Sequence, residues 1–276
     1  MGTLNKENEQ KRIKLSIQVS LNGLSFCALV PEEKRIIFFK EIHFPKKLNP
    51  IQVLEQIENV YEQEKFLQEE TPEVIVLFSN ELFSLVPQKL FSEEQASDYL
   101  KFNTRILETD YVAQDQLETA EMVNVYIPYT NINNFFFEKY GEFEYRHCIS
   151  VLTEAFLEMS DPEDREVKVY LNCYTGGYDL IIIKAGKLLL ANSFQSRTKE
   201  DFIYYLLFTA EQLDLDPTTF RLFLLGKITR DSDYYQIAYT YVKEVEFLDP
   251  VFGYLFSGKE EVPNGRKNYA LLKALQ

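Results

Sequence analysis

The sequence predicts an α/β chain with mixed sheets, in which one strand-rich unit is written twice. Residues 14–80 and 167–226 each read strand, hairpin, strand, hairpin, strand, amphipathic stretch, strand. Glycine-bearing turns punctuate both copies: Leu21-Asn22-Gly23 in the first, Tyr174–Gly177 and Ala185-Gly186 in the second. In both, a strand follows the amphipathic stretch, FRLFLLG in the second copy and, in the first, VIVLFS, a continuous apolar run as expected of a strand covered on both faces.

The first copy follows a polar tail at residues 1–11. KLSIQVS, SFCALV and IIFFKEI are its first three strands, with Pro31–Arg35 as the second turn. Asn49 is placed to cap a helix. Pro50 suits the first helical position, where an N–H would have no partner anyway, and Val53, Leu54, Ile57, Val60 and Tyr61 recur on one face. A charged exit from Gln63 to Thr71 leads to VIVLFS.

An insertion at about residues 81–148 has no counterpart in the second copy. LFSLVP reads as a short strand. Ser92-Glu93-Glu94-Gln95 has the pattern of a capping box that opens a helix to about Leu107. Asp110–Glu121 reads as a polar loop, Val123–Tyr129 as a strand, and Asn131–Tyr140 as a helix carrying Phe135, Phe136 and Phe137. Three consecutive residues cannot share one helix face, so this run is expected to meet more than one element. Ile149–Met159 is an apolar helix, and Ser160-Asp161-Pro162-Glu163-Asp164 breaks the chain after it. The expected division is a tail at 1–11, a first domain at 12–160 carrying the insertion, and a second domain at 161–276.

The second copy takes its strands from VKVYLNC, YDLIIIK and KLLLANSF. Its helix begins near Thr198, with Asp201 three residues on and a broad apolar face from Phe202, Tyr205, Leu206, Leu207, Ala210 and Leu213. Asp216-Pro217 precedes the strand Phe220–Leu225. Tyr234–Lys243 reads as a helix, Val245–Phe247 as a short strand, Val262–Arg266 as a turn and Lys267–Leu275 as a terminal helix.

A net charge of −14 argues against the long basic surface that phosphate-backbone binding needs, so no nucleic-acid partner is expected. No apolar run approaches the roughly 18 residues of a membrane helix, and the polar start lacks the apolar core of a signal peptide. Lys6 stands where a myristoylation motif has Ser or Thr. A cytoplasmic protein without membrane insertion is the expectation. The three cysteines are far apart; Cys27 and Cys173 lie in apolar strand patterns and read as buried thiols. With 18 Tyr, 22 Phe and no Trp, the aromatic residues serve either sheet packing or a partner surface.

Three antiparallel strands extended by a crossover helix to a parallel strand is the ordering of the ribonuclease H-like fold. Two such units in tandem make the actin-like ATPase architecture, with a cleft between them. LNCYTGGYDLIIIKAGKLLLANSF resembles the second phosphate-loop hairpin of the actin-like superfamily, most closely its pilus-assembly and cell-division branches. From about residue 12 to the end, the chain resembles a bacterial domain-of-unknown-function family with that fold. The insertion is similar to the extra subdomain of the pilus-assembly branch.

The resemblance implies an ATP site with Mg²⁺, made by two phosphate hairpins, each with an acid and a glycine, and a glycine-rich adenosine turn. Mapped onto this chain, the first acid falls on Ser20 and its glycine on Asn22, beside Gly23. The second acid falls on Asn172 and its glycine on Tyr174, and the adenosine turn on Leu225-Gly226-Lys227. Ser and Asn bring no negative charge to a cation. Tyr174 puts a ring where a phosphate needs close backbone approach, and Lys227 puts a long side chain where adenosine would lie. A shifted alignment would use Thr175-Gly176-Gly177 as the anion-binding turn with Asp179 near a cation; a hairpin turn that uses glycine for its positive φ explains the same residues.

A ribonuclease H-like nuclease needs carboxylates on its first strand, and LSIQVS and VYLNC have none. His43 and His147, the two histidines, lack companion ligands at metal-binding spacing or a nucleophile-elbow context, and no metal site is expected. The acidic run Glu62–Glu73 lacks the ligand spacing of a calcium loop. The reading is a non-catalytic actin-like protein with no cofactor, acting as a scaffold or binding module for an unidentified protein. Its working surface is expected at Phe135–Phe137 or in the old cleft. The alternative is a divergent nucleotide-binding protein or weak ATPase that uses ATP with Mg²⁺.

Overall fold

A computed structural model of the chain describes residues 12–69, 72–101, 110–256 and 261–276. The first sheet begins with a meander of β1 (Lys14–Ser20), β2 (Gly23–Val30) and β3 (Arg35–His43). α1 (Pro50–Gln63) then crosses over, followed by the short α2 (Lys65–Glu69) and β4 (Glu73–Phe78). α1 forms where the sequence places it. Asn49 accepts a hydrogen bond from the Gln52 N–H and Gln52 returns one to the Asn49 N–H, while Val53, Ile57, Val60 and Tyr61 are buried beneath. β1 pairs antiparallel with β2 and parallel with β4, which sets the core strand between its two neighbours.

The insertion adds β5 (Phe83–Pro87), α3 (Ala96–Leu100), β6 (Ala113–Leu117) and β7 (Met122–Tyr126). β5, β7 and β6 form a small antiparallel sheet in that order. Two local expectations are corrected here. Residues 113–117 form a strand, because Ala113, Asp115 and Leu117 turn inward at period two while the glutamines between them face water. Ser92 makes no side-chain cap; Glu93–Gln95 is a 3₁₀ turn, and the expected extension of the helix to Leu107 falls outside the described residues.

α4 (Thr130–Tyr140), β8 (Glu144–His147) and α5 (Cys148–Glu158) complete the first half. β8 pairs parallel with β4, an edge strand that the four-residue EYRH did not signal. The phenylalanine run divides: Phe136 is fully buried, Phe135 packs edge-on to Tyr61, and Phe137 is 63% exposed. Asp115 ties the insertion to the start of α5, accepting the His147 backbone N–H at 2.9 Å and the Tyr126 hydroxyl at 3.2 Å. The buried His147 donates through Nε2 to the Asn80 carbonyl and accepts the Ile149 N–H at Nδ1; burial pulls it down to about 3, so it stays neutral.

The second sheet repeats the pattern with β9 (Val167–Tyr174), β10 (Gly177–Lys184) and β11 (Lys187–Gln195). α6 (Lys199–Gln212) follows, opened by a Thr198–Asp201 capping box, then β12 (Arg221–Gly226), α7 (Asp233–Tyr241) and β13 (Glu244–Phe247). The strand orders of the two sheets correspond: β3-β2-β1-β4-β8 and β11-β10-β9-β12-β13. In each, the first and second crossovers return to parallel strands on the same side of the meander.

The last helices are exchanged. α5, which ends the first half, packs against β10 and β11, and Phe156 stacks on Tyr170 at 4.2 Å between centroids. β14 (Leu255–Phe256) adds to the outer edge of β3, and α8 (Tyr269–Lys273) packs on β1, β2 and α5. Both helices lie at the junction, and one continuous hydrophobic cluster runs from Leu15 and Ile17 through Phe156 to Tyr170, Ile181 and Leu225. Cys27, Cys148 and Cys173 are buried and unpaired.

Candidate functional site

Where the carboxyl end of β1 meets that of β9, a cavity of about 230 Å³ opens between the two sheets. It collects residues from both hairpins, from the ends of β3, β4 and β12, and from the segment before α8. Ser20, Asn22, Gly23, Asn172, Thr175 and Asp179 all line it. Gly176, Gly177 and Gly226 belong to the turns and strand end that shape it.

The two hairpins are internally satisfied. Ser20 Oγ donates to the Gly23 carbonyl at 3.0 Å and accepts the Asn22 N–H at 3.2 Å, so the hydroxyl closes its own turn. Ser20 opposite Gly23 and Tyr174 opposite Gly177 close the two turns, so by position Ser20 matches Tyr174 and Gln18 matches Asn172. Neither pair contains an acid. The Tyr174 ring folds back over its own turn; a β-carbon on Gly177 would lie 3.0 Å from its Cε2 and 2.4 Å from the Phe194 carbonyl. Burial, with Asp179 and Glu81 nearby, raises the Tyr174 hydroxyl well above its ordinary value.

Asp179 is 5% exposed, and both its oxygens are engaged. Ser193 donates to Oδ1 at 2.6 Å and Asn172 to Oδ2 at 2.9 Å. Burial pushes the acid up to about 6, against the pull of those two hydrogen bonds. The two donors tie the carboxylate into its own hairpin, with one acceptor site of each oxygen taken.

Gly226 answers a packing need. Its φ is +81°, and a β-carbon there would stand 2.1 Å from the Cys173 carbonyl oxygen. The single glycine of the third loop therefore lets β12 approach β9 while Lys227 N–H donates to that same carbonyl.

Side-chain contacts also fasten the halves across the cavity. Asn22 Nδ2 donates to the Thr175 carbonyl at 3.0 Å, turn to turn, and Gln195 Nε2 donates to Glu81 at 2.7 Å. Lys227 Nζ donates to His43 Nδ1 at 3.0 Å, and Lys267 Nζ reaches Glu41 at 2.6 Å. His43 is held below its ordinary value, first by burial and then by Lys227, with Glu41 opposing and Lys267 adding to the fall. The sequence offered no sign of this group, because residues 41, 43, 227 and 267 are joined only by the fold. Among the described residues no three His, Cys, Asp or Glu side chains gather as a metal site.

A meander of three strands continued by parallel crossovers, built in two halves around a shared cleft, is the actin-like ATPase fold. The chain belongs to the family described as protein of unknown function DUF3822, whose model matches residues 3–245. It is similar to a Bacteroides thetaiotaomicron protein described as having an actin-like ATPase fold and unknown function: 25% identity, 98% of this chain and 99% of that one covered, TM-score 0.82. It is also similar in fold to a PilM–PilN type IV pilus biogenesis complex, at 11% identity, 95% and 96% coverage and TM-score 0.55. No curated protein matches the chain. Among the described residues no helix is long and apolar enough to cross a membrane.

Proposed function

We propose that this chain is a non-catalytic actin-like protein, a scaffold or protein-binding module that has kept the framework of an ATPase and lost its charged chemistry. One observation carries the reading: Ser20 and Asn172, onto which the two hairpin acids map, are not acids, nor are their counterparts by register, Tyr174 and Gln18, and Ser20, Asn172 and Tyr174 are spent on or folded over their own hairpins. The ties across the cavity add to it. Nucleotide-driven closure needs a cleft that opens and shuts, and Asn22–Thr175 already joins the two turns.

In this reading residues 12–160 and 161–276 are two domains derived from one unit, interlocked by their exchanged helices, and the protein works in the cytoplasm. A protein partner is supported by the PilM–PilN neighbour, a complex on the same fold. The surface proposed for it is the aromatic face of α6 beside the edge of β11, which pairs on that side with no strand among the described residues. Tyr204 is 58% and Phe208 46% exposed, their rings stacked 5.7 Å apart, and β11 has no charged residue between Leu188 and Gln195. An edge strand of that kind is suited to an extended, uncharged segment that adds as a further strand.

Phosphate release from ATP with Mg²⁺ tests the catalytic half of the proposal. The expected rate is that of buffer alone, for wild type and Asp179→Ala equally. Hydrolysis by the wild type that Asp179→Ala abolishes would replace this reading with the weak-ATPase one.

A further inference from the structure

Part of the cavity lining is cationic in a chain of net charge −14. His43 ends β3, Lys227 follows the last residue of β12, and Lys267 comes shortly before α8. The two ammonium groups bracket the imidazole: Lys227 Nζ lies 3.0 Å from Nδ1 and Lys267 Nζ 3.4 Å from Nε2. To accept from Lys227, Nδ1 must be unprotonated, so Nε2 bears the proton and faces Glu41 at 3.4 Å. Glu41 also holds Lys267. Two ammoniums, one carboxylate and a neutral ring leave one positive charge uncompensated.

The other charged groups around the cavity do not supply the missing anion. Glu81 faces Lys47 at 3.5 Å, and Asp179, which takes its hydrogen bonds from the neutral Ser193 and Asn172, acts on neither Lys227 nor Lys267. Each ammonium has three donors, and each lysine has hydrogen-bonding capacity left beyond the contacts described. A cavity of about 230 Å³ is below the roughly 300–1,000 Å³ that enclose drug-sized ligands, so the occupant is small.

We propose that Lys227, Lys267 and His43 form a binding site for a phosphate group, engaged directly by the two ammoniums and the imidazole and requiring no divalent cation. Lysine serves phosphate as a point charge. A dianion would match the site's single surplus charge once His43 takes up a proton, so binding and protonation of His43 are linked. The proposal goes beyond the scaffold reading and does not depend on it: it needs neither hairpin acids nor Mg²⁺.

The test is a proton NMR titration of the His43 ring, with inorganic phosphate against chloride at equal ionic strength, paired with thermal unfolding in the same buffers. His147, buried and neutral, does not interfere. Phosphate is expected to raise the His43 midpoint by about one unit, the effect of an opposite charge within ~4–6 Å, and to raise the melting temperature, with or without Mg²⁺. Lys227→Met should remove both responses and Lys227→Arg should keep them. Equal midpoints and melting temperatures in phosphate and chloride would overturn the proposal. So would a response that survives in Lys227→Met, or one that appears only with Mg²⁺.

Discussion

At the scale of single residues, burial decides what each polar group can do. In the sequence Asp179 is an acid two residues past a Gly-Gly turn, where a cation ligand could stand. In the structure it is an internal acceptor, pushed up to about 6 by burial. Its folded value lies above the ~3.9 of an unfolded chain, so the proton binds more tightly in the folded state. The stability this supplies is complete below about pH 4 and is lost as pH rises through about 6, a difference of about 3 kcal/mol. Asp179→Asn should flatten that dependence and make the protein more stable at pH 7, since Asn172 can turn its amide to match. Urea unfolding at pH 4.5 and pH 7 checks this; a wild type equally stable at both would contradict it. Gly226 carries a similar lesson: a glycine that suggests ligand approach is required by the contact between β12 and β9.

At the scale of elements, patterning was legible wherever it was local. The three strands of each meander, the Asn49 and Thr198 caps and the apolar runs of β4 and β12 stand where hydropathy and capping place them. β6 was missed because its inward residues include Asp115, whose partners Tyr126 and His147 are distant in sequence. β8 and β14 were missed because four and two residues carry no period of their own. The phenylalanine run promised a surface, yet Phe136 is core and Phe137 alone is well exposed. The partner surface proposed in its place lies on α6. Phe208→Asp should abolish capture of a partner that co-purifies with the wild type, while Phe137→Ser should retain it, both variants unfolding at wild-type temperature. Loss with Phe137→Ser alone would return the surface to the insertion.

At the scale of the whole molecule, two similar strand orders and two exchanged helices bring both hairpins, the ends of β3, β4 and β12 and the segment before α8 to one cavity. The sequence disclosed the fold because strand order follows from successive local patterns, and it located both hairpins. It could not disclose the Lys227–His43–Lys267 group or the Asn22–Thr175 tie, which exist only once the halves meet. The central claim is that this cleft no longer reads a metal–nucleotide. The most direct measurement is thermal unfolding with ATP, without and then with Mg²⁺. A ligand at about 100 times its dissociation constant adds about 2.7 kcal/mol, a rise of a few degrees for a chain of this size. The account predicts that adding Mg²⁺ to ATP produces no rise beyond that of ATP alone; a clear Mg²⁺-dependent rise would contradict it.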